Sequence, residues 1–210
     1  LSQNFGFIHY RKRLEGPLGK VGLRLFHVND YAQVWLDGHY LGSRMRDDGQ
    51  NPFPVEVQEE GAVLDILVEN CGRINYGVYV GKDFKGITQA VAVEFQEQLD
   101  WEYYSLPLDS LDALKFAEFD NRPGQVRFHR GEFQLDATGD TFLRRPGTKG
   151  SVWINGFHLG RYWNIGPTET LYVPAPVLKR GVNEIIIMEQ EALESDSVSF
   201  QATPDLGETE

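Results

Sequence analysis

An all-β fold, laid out as two related β domains in tandem, follows from two features of this 210-residue chain. The first is an internal repeat. Val34-Trp-Leu-Asp-Gly-His-Tyr-Leu-Gly42 recurs 118 residues later as Val152-Trp-Ile-Asn-Gly-Phe-His-Leu-Gly160, identical at five of nine positions and conservatively changed at Leu/Ile and Asp/Asn. Each copy is followed by an apolar β-branched run, Val63 to Val68 and Val182 to Met188, and preceded by an aromatic strand with arginine, Phe7 to Arg11 and Val126 to Arg130. Three matching elements in one order indicate two copies of a structural unit. The second feature is turn chemistry. Asp37-Gly38 and Asn155-Gly156 are dipeptides that accept positive φ, and each sits between two apolar runs, as a two-residue hairpin turn requires.

Taken in order, Ser2 to Leu14 contains the first strand, and Gly16-Pro17 is its exit turn. Val21 to Val28 alternates apolar and polar side chains and reads as a half-buried strand. Asn29-Asp30 turns into the strand Tyr31 to Leu36, and Asp37-Gly38 closes the hairpin. The polar segment Arg44 to Pro54 reads as an exposed loop, and Val63 to Glu69 as a strand in the middle of a sandwich. A glycine-punctuated loop, Asn70 to Val80, leads through Lys82 to Ile87 into strands around Ala90 to Phe95 and Trp101 to Leu106. Asp109 to Phe119 carries the one plausible helical pattern, with Asp109 at the N-cap, and also reads as a linker. Asn121 to Gly124 marks a boundary, because Pro123-Gly124 breaks any continuation. The expected domains are therefore 1–108, a linker 109–125, and 126–210. In the second domain Val152 to Ile154 and Phe157 to Trp163 flank the turn, Asn164 to Pro167 forms a loop, and Thr170 to Val173 is a further short strand closed by Pro174 and Pro176. Glu194 to Glu210 is acidic, with one apolar stretch at Val198 to Phe200 expected as an edge strand before a frayed tail.

Composition narrows the function classes. A net charge of −11 disfavours nucleic acid or an anionic membrane as partner, because phosphates would be repelled. The single cysteine, Cys71, leaves no internal disulfide and no thiolate metal site. It favours a reducing compartment, a bacterial cytoplasm, over secretion or the cell surface without deciding between them. The five histidines, His9, His27, His39, His129 and His158, have no metal-binding spacing. Asp136 to Asp140 is an acidic turn that only weakly suggests calcium. Neither a cofactor nor a metal ligand is expected.

Two long unbroken strings, Gly72-Arg-Ile-Asn-Tyr-Gly77 and Leu159-Gly-Arg-Tyr-Trp-Asn-Ile-Gly-Pro167, together with Lys82 to Ile87, resemble the C-terminal part of the family 35 glycoside hydrolases, the β-galactosidases. The resemblance runs to about Glu191. It implies two tandem β-sandwich domains of jelly-roll, galactose-binding-like type. It further implies a catalytic (β/α)₈ barrel as partner, with galactosides as the ligand class and retaining hydrolysis of terminal β-linked galactose as the parent reaction. A retaining glycosidase needs two carboxylates facing each other roughly 5 Å apart across the sugar. No motif here supplies that pair, so no catalytic residue is expected in this chain.

Five residues remain as binding candidates. Arg73, Asn75 and Tyr76 sit on a glycine-flanked loop, the usual place for recognition residues on a rigid sandwich. By resemblance they would either face the active-site rim or dock the domain on the barrel, and docking is the plainer expectation. Arg161 suits a bidentate contact with hydroxyls or a carboxylate, although an ion pair with a glutamate such as Glu169, pinning the loop, is the plainer expectation. Glu189 is expected as a buried partner of an arginine. Trp163 opens a Gly/Pro loop and could stack on a sugar, as could Tyr162, whereas Trp153 between Val152 and Ile154 is expected in the core.

Overall fold

The computed structural model describes residues 3–46, 48–118 and 122–208. Leu1, Ser2, Phe119, Asn121 and Glu210, which bound some of the expected elements, lie outside them. Among the described residues 49% are strand and 1% helix, and the chain divides into two compact units, Leu1–Asp109 and Ser110–Glu210.

In the first unit the strands are β1 (Phe7–Leu14), β2 (Gly19–Leu25), β3 (Val28–Asn29), β4 (Tyr31–Leu36), β5 (His39–Met45), β6 (Phe53–Val57), β7 (Ala62–Glu69), β8 (Gly86–Ile87), β9 (Val91–Val93), β10 (Gln96–Glu97) and β11 (Glu102–Leu106). A five-stranded antiparallel sheet in the order β11-β1-β7-β4-β5 packs on a four-stranded sheet in the order β10-β9-β2-β6. Alternate residues of the first sheet, among them Val34, Leu64 and Ile66, meet Leu23, Val55 and Val93 of the second in one core. Phe53 is a correction to the expected loop Arg44 to Pro54. It is buried and starts β6, paired through Phe53↔Leu23 with β2. The polar lead-in concealed a strand whose period-2 pattern begins only at Phe53.

The second unit repeats the larger sheet. Its strands are β12 (Arg127–Leu135), β13 (Thr141–Arg144), β14 (Lys149–Ile154), β15 (Phe157–Trp163), β16 (Thr170–Val173), β17 (Gly181–Glu189) and β18 (Phe200–Gln201). The sheet order β12-β17-β14-β15 reproduces β1-β7-β4-β5, and β16-β13-β18 forms the opposing sheet. Leu143, Val152, Ile154, Ile185 and Ile187 build its core. The helix expected over Asp109 to Phe119 is absent among the described residues, which form only a turn closed by Leu114 N–H donating to the Leu111 carbonyl at 3.0 Å. Three apolar positions without a second turn of packing do not sustain so short a helix. The apolar stretch at the C-terminus does form an edge strand, β18, beside β13.

The repeated hairpins match in atomic detail. Asp37 and Gly38 have φ of 47° and 75°, and Asn155 and Gly156 have 50° and 80°. Register shifts fall between Val34 and Trp35 in one copy and between Val152 and Trp153 in the other. The Asp37 carboxylate accepts from Val63 N–H at 2.7 Å, and the Asn155 side-chain oxygen accepts from Glu184 N–H at 3.1 Å. Each turn residue thereby ties its hairpin to the central strand beside it.

Candidate functional site

The loop between β7 and β8 is pinned at both ends and open in the middle. Asn70 N–H donates to the Gly6 carbonyl at 3.0 Å, the Asn70 amide donates to the Asn4 carbonyl at 2.8 Å, and its oxygen accepts from Gly72 N–H. At the far end the Asn29 amide donates to the Phe84 carbonyl at 2.7 Å. Beneath the loop lies a compact cluster of two acids and two bases. Lys85 contacts Asp30 at 2.7 Å and Asp83 at 2.8 Å, while Arg46 reaches Asp83 at 2.7 Å and also donates to Asp30. Asp30 additionally accepts from Cys71 N–H at 2.7 Å, so the cluster grips the start and the end of the loop together. Burial alone would raise the Asp83 carboxyl, but the hydrogen bonds and charges of Lys85 and Arg46 hold it below the ordinary range. Sequence reasoning missed these four residues. Their charges are spread from position 30 to 85, and Asn29-Asp30 read as a turn.

Between these anchors the loop presents apolar surface to solvent. Tyr76 is 90% exposed, Val78 77% and Phe84 74%, with Tyr79 and Val80 also exposed. Arg73 and Asn75 are exposed on the same loop. A cavity of about 360 Å³ opens behind it, lined by Phe5, Tyr10, Arg73, Asp83, Phe84 and Lys85. Arg73 therefore reaches the cavity, whereas Tyr76 points its area at solvent.

The other two candidates share one strand of the second unit. Arg161 and Trp163 alternate along β15 and are opposite Ser151 and Lys149. Both face away from the inter-sheet core, which takes the intervening Tyr162 instead. Trp163 is half-buried, with the Lys149 ammonium 4.2 Å from the ring centre. Glu169, named as a partner for Arg161, is engaged by Arg145 at 2.7 Å and Arg144 at 3.7 Å. The five candidates thus fall into two groups in different units: Arg73, Asn75 and Tyr76 on a loop, and Arg161 and Trp163 on a strand.

Further expectations are revised. Tyr162 is a core residue and not a stacking surface: its hydroxyl donates to the Glu189 carboxylate at 2.6 Å. Glu189 is buried as expected, and its hydrogen-bond partners among the described residues are that tyrosine and the N–H groups of Lys149 (3.1 Å), Glu191 (2.9 Å) and Ala192. Burial pushes the Glu189 carboxyl up, and burial and the Glu189 charge push the Tyr162 phenol up in turn. Trp153 is 4% exposed, yet it lies on the sheet face opposite the inter-sheet core, stacked on His158 at 4.7 Å and near Phe128 at 6.3 Å. Burial and the Arg161 charge hold the His158 imidazole below its usual pKa. The Asp140 carboxylate, part of the acidic turn, accepts from Ala175 N–H at 2.9 Å and so closes a local turn.

Two tandem β-sandwiches that repeat one sheet order define the chain as a pair of related all-β domains. Family models specify it further. Residues 1–107 match the first all-β domain of β-galactosidases, and residues 126–183 match the β-galactosidase galactose-binding domain. The chain belongs to the β-galactosidase family. It is 37% identical over 172 residues to a β-galactosidase of Xanthomonas manihotis, covering 81% of this chain and 28% of that protein. It is 35% identical over 212 residues to the human β-galactosidase-1-like protein 2, covering 98% and 32%, and 34% identical over 220 residues to human β-galactosidase, covering 91% and 32%. The chain therefore spans about a third of the length of these relatives.

Proposed function

We propose that this chain is the non-catalytic β region of a β-galactosidase, docked on a catalytic (β/α)₈ barrel and completing the rim of its active site. The parent reaction is retaining hydrolysis of terminal β-linked galactose, carried out by barrel carboxylates. The observation that carries the docking role is the loop over residues 76–84. Five large apolar side chains there are each more than half exposed, on a backbone anchored at both ends. Soluble surfaces seldom leave so much contiguous apolar area unpartnered. A barrel face would cover it. Arg73 and Asn75 at its margin would then face the rim, and residues 109–125 serve as the linker between the two sandwiches.

Reconstitution tests this reading. The chain is mixed with the separately produced barrel of the same enzyme, and association and β-galactoside hydrolysis are measured. Association is expected with the unaltered chain and is expected to be lost with Tyr76→Ser combined with Tyr79→Ser, which leaves both cores intact. A barrel that is equally stable and active alone would remove the supporting role, and association unaffected by the double variant would move docking elsewhere.

A second reading is favoured by the galactose-binding description matched by residues 126–183. In it, Arg161 and Trp163 bind a galactoside directly, the guanidinium clamping hydroxyls while the indole stacks on the apolar ring face. Its signature is saturable lactose binding by the chain alone, with amide shifts centred on 161–166.

A further inference from the structure

A cleft of about 320 Å³ opens in the first unit where the edge strands of its two sheets come together, sharing only Tyr10 with the cavity behind the β7–β8 loop. Gln98 to Trp101 link β10 of one sheet to β11 of the other and line it. Tyr103 on β11 and Tyr10 beside it on β1 form one wall, and Gln89 and Glu97 contribute from the other side. The volume sits at the small end of the roughly 300–1,000 Å³ typical of ligand clefts.

Three properties specify the ligand. First, the aromatic wall is rigid: the Trp101 indole N–H donates to the Gln98 carbonyl at 2.8 Å, and the ring packs edge-on to Tyr10 at 6.3 Å. Tyr103 at its mouth is 58% exposed and has a ring available to a ligand. Second, Gln89, Glu97 and Asp100 line the cleft, and their side chains make no hydrogen bond to the protein among the described residues. Third, the two carboxylates accept but cannot donate, so they require a ligand rich in donors and repel an anion. A pyranoside meets all three demands, with a C–H face for the aromatic wall and hydroxyls for the carboxylates and the amide. We propose that this cleft is a binding subsite for a neutral hexopyranoside, held between Tyr103 and Trp101 on one side and Asp100, Glu97 and Gln89 on the other. The subsite is separate from both readings above, because none of its polar residues lies in the docking loop or on β15.

The test is an amide NMR titration of the chain with methyl β-D-galactoside, methyl β-D-glucoside and galacturonate. Saturable shifts confined to residues 89–103 at millimolar neutral sugar are expected, with galacturonate at least about fivefold weaker because of the two carboxylates. Tyr103→Ala should weaken the neutral sugar about fivefold through loss of ring stacking. Asp100→Asn should weaken it too and narrow the gap to galacturonate, a change that a purely structural role for Asp100 would not produce. Both side chains are exposed, and an unchanged spectrum elsewhere shows that the fold persists. No shifts, shifts only around Tyr76 or Trp163, or equal affinity for galacturonate would each overturn the proposal. The second of these outcomes would leave the docking or β15 reading standing while removing this one.

Discussion

Glu189 is a carboxylate held in the interior by four donors, the Tyr162 hydroxyl and the N–H groups of Lys149, Glu191 and Ala192. Its neighbour Gly150 has no room for a side chain: a Cβ there would strike the Met188 carbonyl and approach the Tyr162 hydroxyl at 2.6 Å. Truncation by Glu189→Ala strands the phenol and three N–H groups, and should cost about 3 kcal/mol in urea unfolding. Glu189→Gln keeps an acceptor for the N–H groups and should cost much less. The pH dependence follows from the direction of the shift. A carboxyl whose folded pKa lies above its unfolded one contributes stability in full below the unfolded value, and that contribution is lost as pH rises through the folded value. The unaltered chain should therefore lose stability relative to the Gln variant as pH rises through the window above the ordinary carboxylate value of about 4.5, a comparison of two urea midpoints. A constant difference would mean that Glu189 does not titrate in that window. At this scale the sequence disclosed that Glu189 is buried, because it ends an apolar run, but not its partner. Tyr162 stands 27 residues away, and nothing in the intervening chain points at it.

The hairpins were the most legible elements, since Asp-Gly and Asn-Gly set their turns locally and the turn sets the register. The β7–β8 loop was half legible. Its glycines and exposed aromatics could be read directly, whereas its anchors could not, because Asp30, Arg46, Asp83 and Lys85 converge only through the sheet. Those anchors make a prediction of their own. Asp83 has a folded pKa below the unfolded one, so its contribution is present above the ordinary carboxylate range and is lost as pH falls through the depressed value. Amide exchange over residues 70–86 should accelerate as pH drops below about 4, relative to exchange in β4 and β7 after correction for the intrinsic rate. Asp83→Asn should bring that acceleration to neutral pH. Equal protection of loop and strands in both conditions would show that the ion cluster does not hold the loop. The failed helix over residues 109–118 and the unforeseen start of β6 share one cause. In both places the local pattern was short, and tertiary pairing decided the outcome.

Across the whole chain, each unit has its own closed apolar cluster, one centred on Leu64 and Ile66 and the other on Val152 and Ile187. Leu64→Ala and Ile187→Ala should each remove about 2–5 kcal/mol from one cluster only. If the units unfold separately, fluorescence-detected urea curves of the two variants will show different halves of the transition moving. A single transition shifted equally by both would instead mean that the units unfold as one. The tandem architecture could be read from the repeat because the Val-Trp-x-x-Gly hairpin survives in both copies; the opposing sheets were legible only in part, since β2, β9, β16 and β18 gave strand signals whereas β6 and β13 did not. One feature of the first unit bears on how the protein behaves at high concentration. All five residues of β11 are exposed along the rim of a five-stranded sheet, so a row of backbone donors and acceptors faces outward with no neighbour in that sheet beyond it. Such a rim is a template on which another chain can add a strand and start a growing fibril. The defence available here is electrostatic: Glu102 lies on the rim itself, and a net charge of −11 keeps copies apart. That defence weakens in strong salt or near the isoelectric point of about 4.9, where colloidal stability, and not folding, becomes the limit.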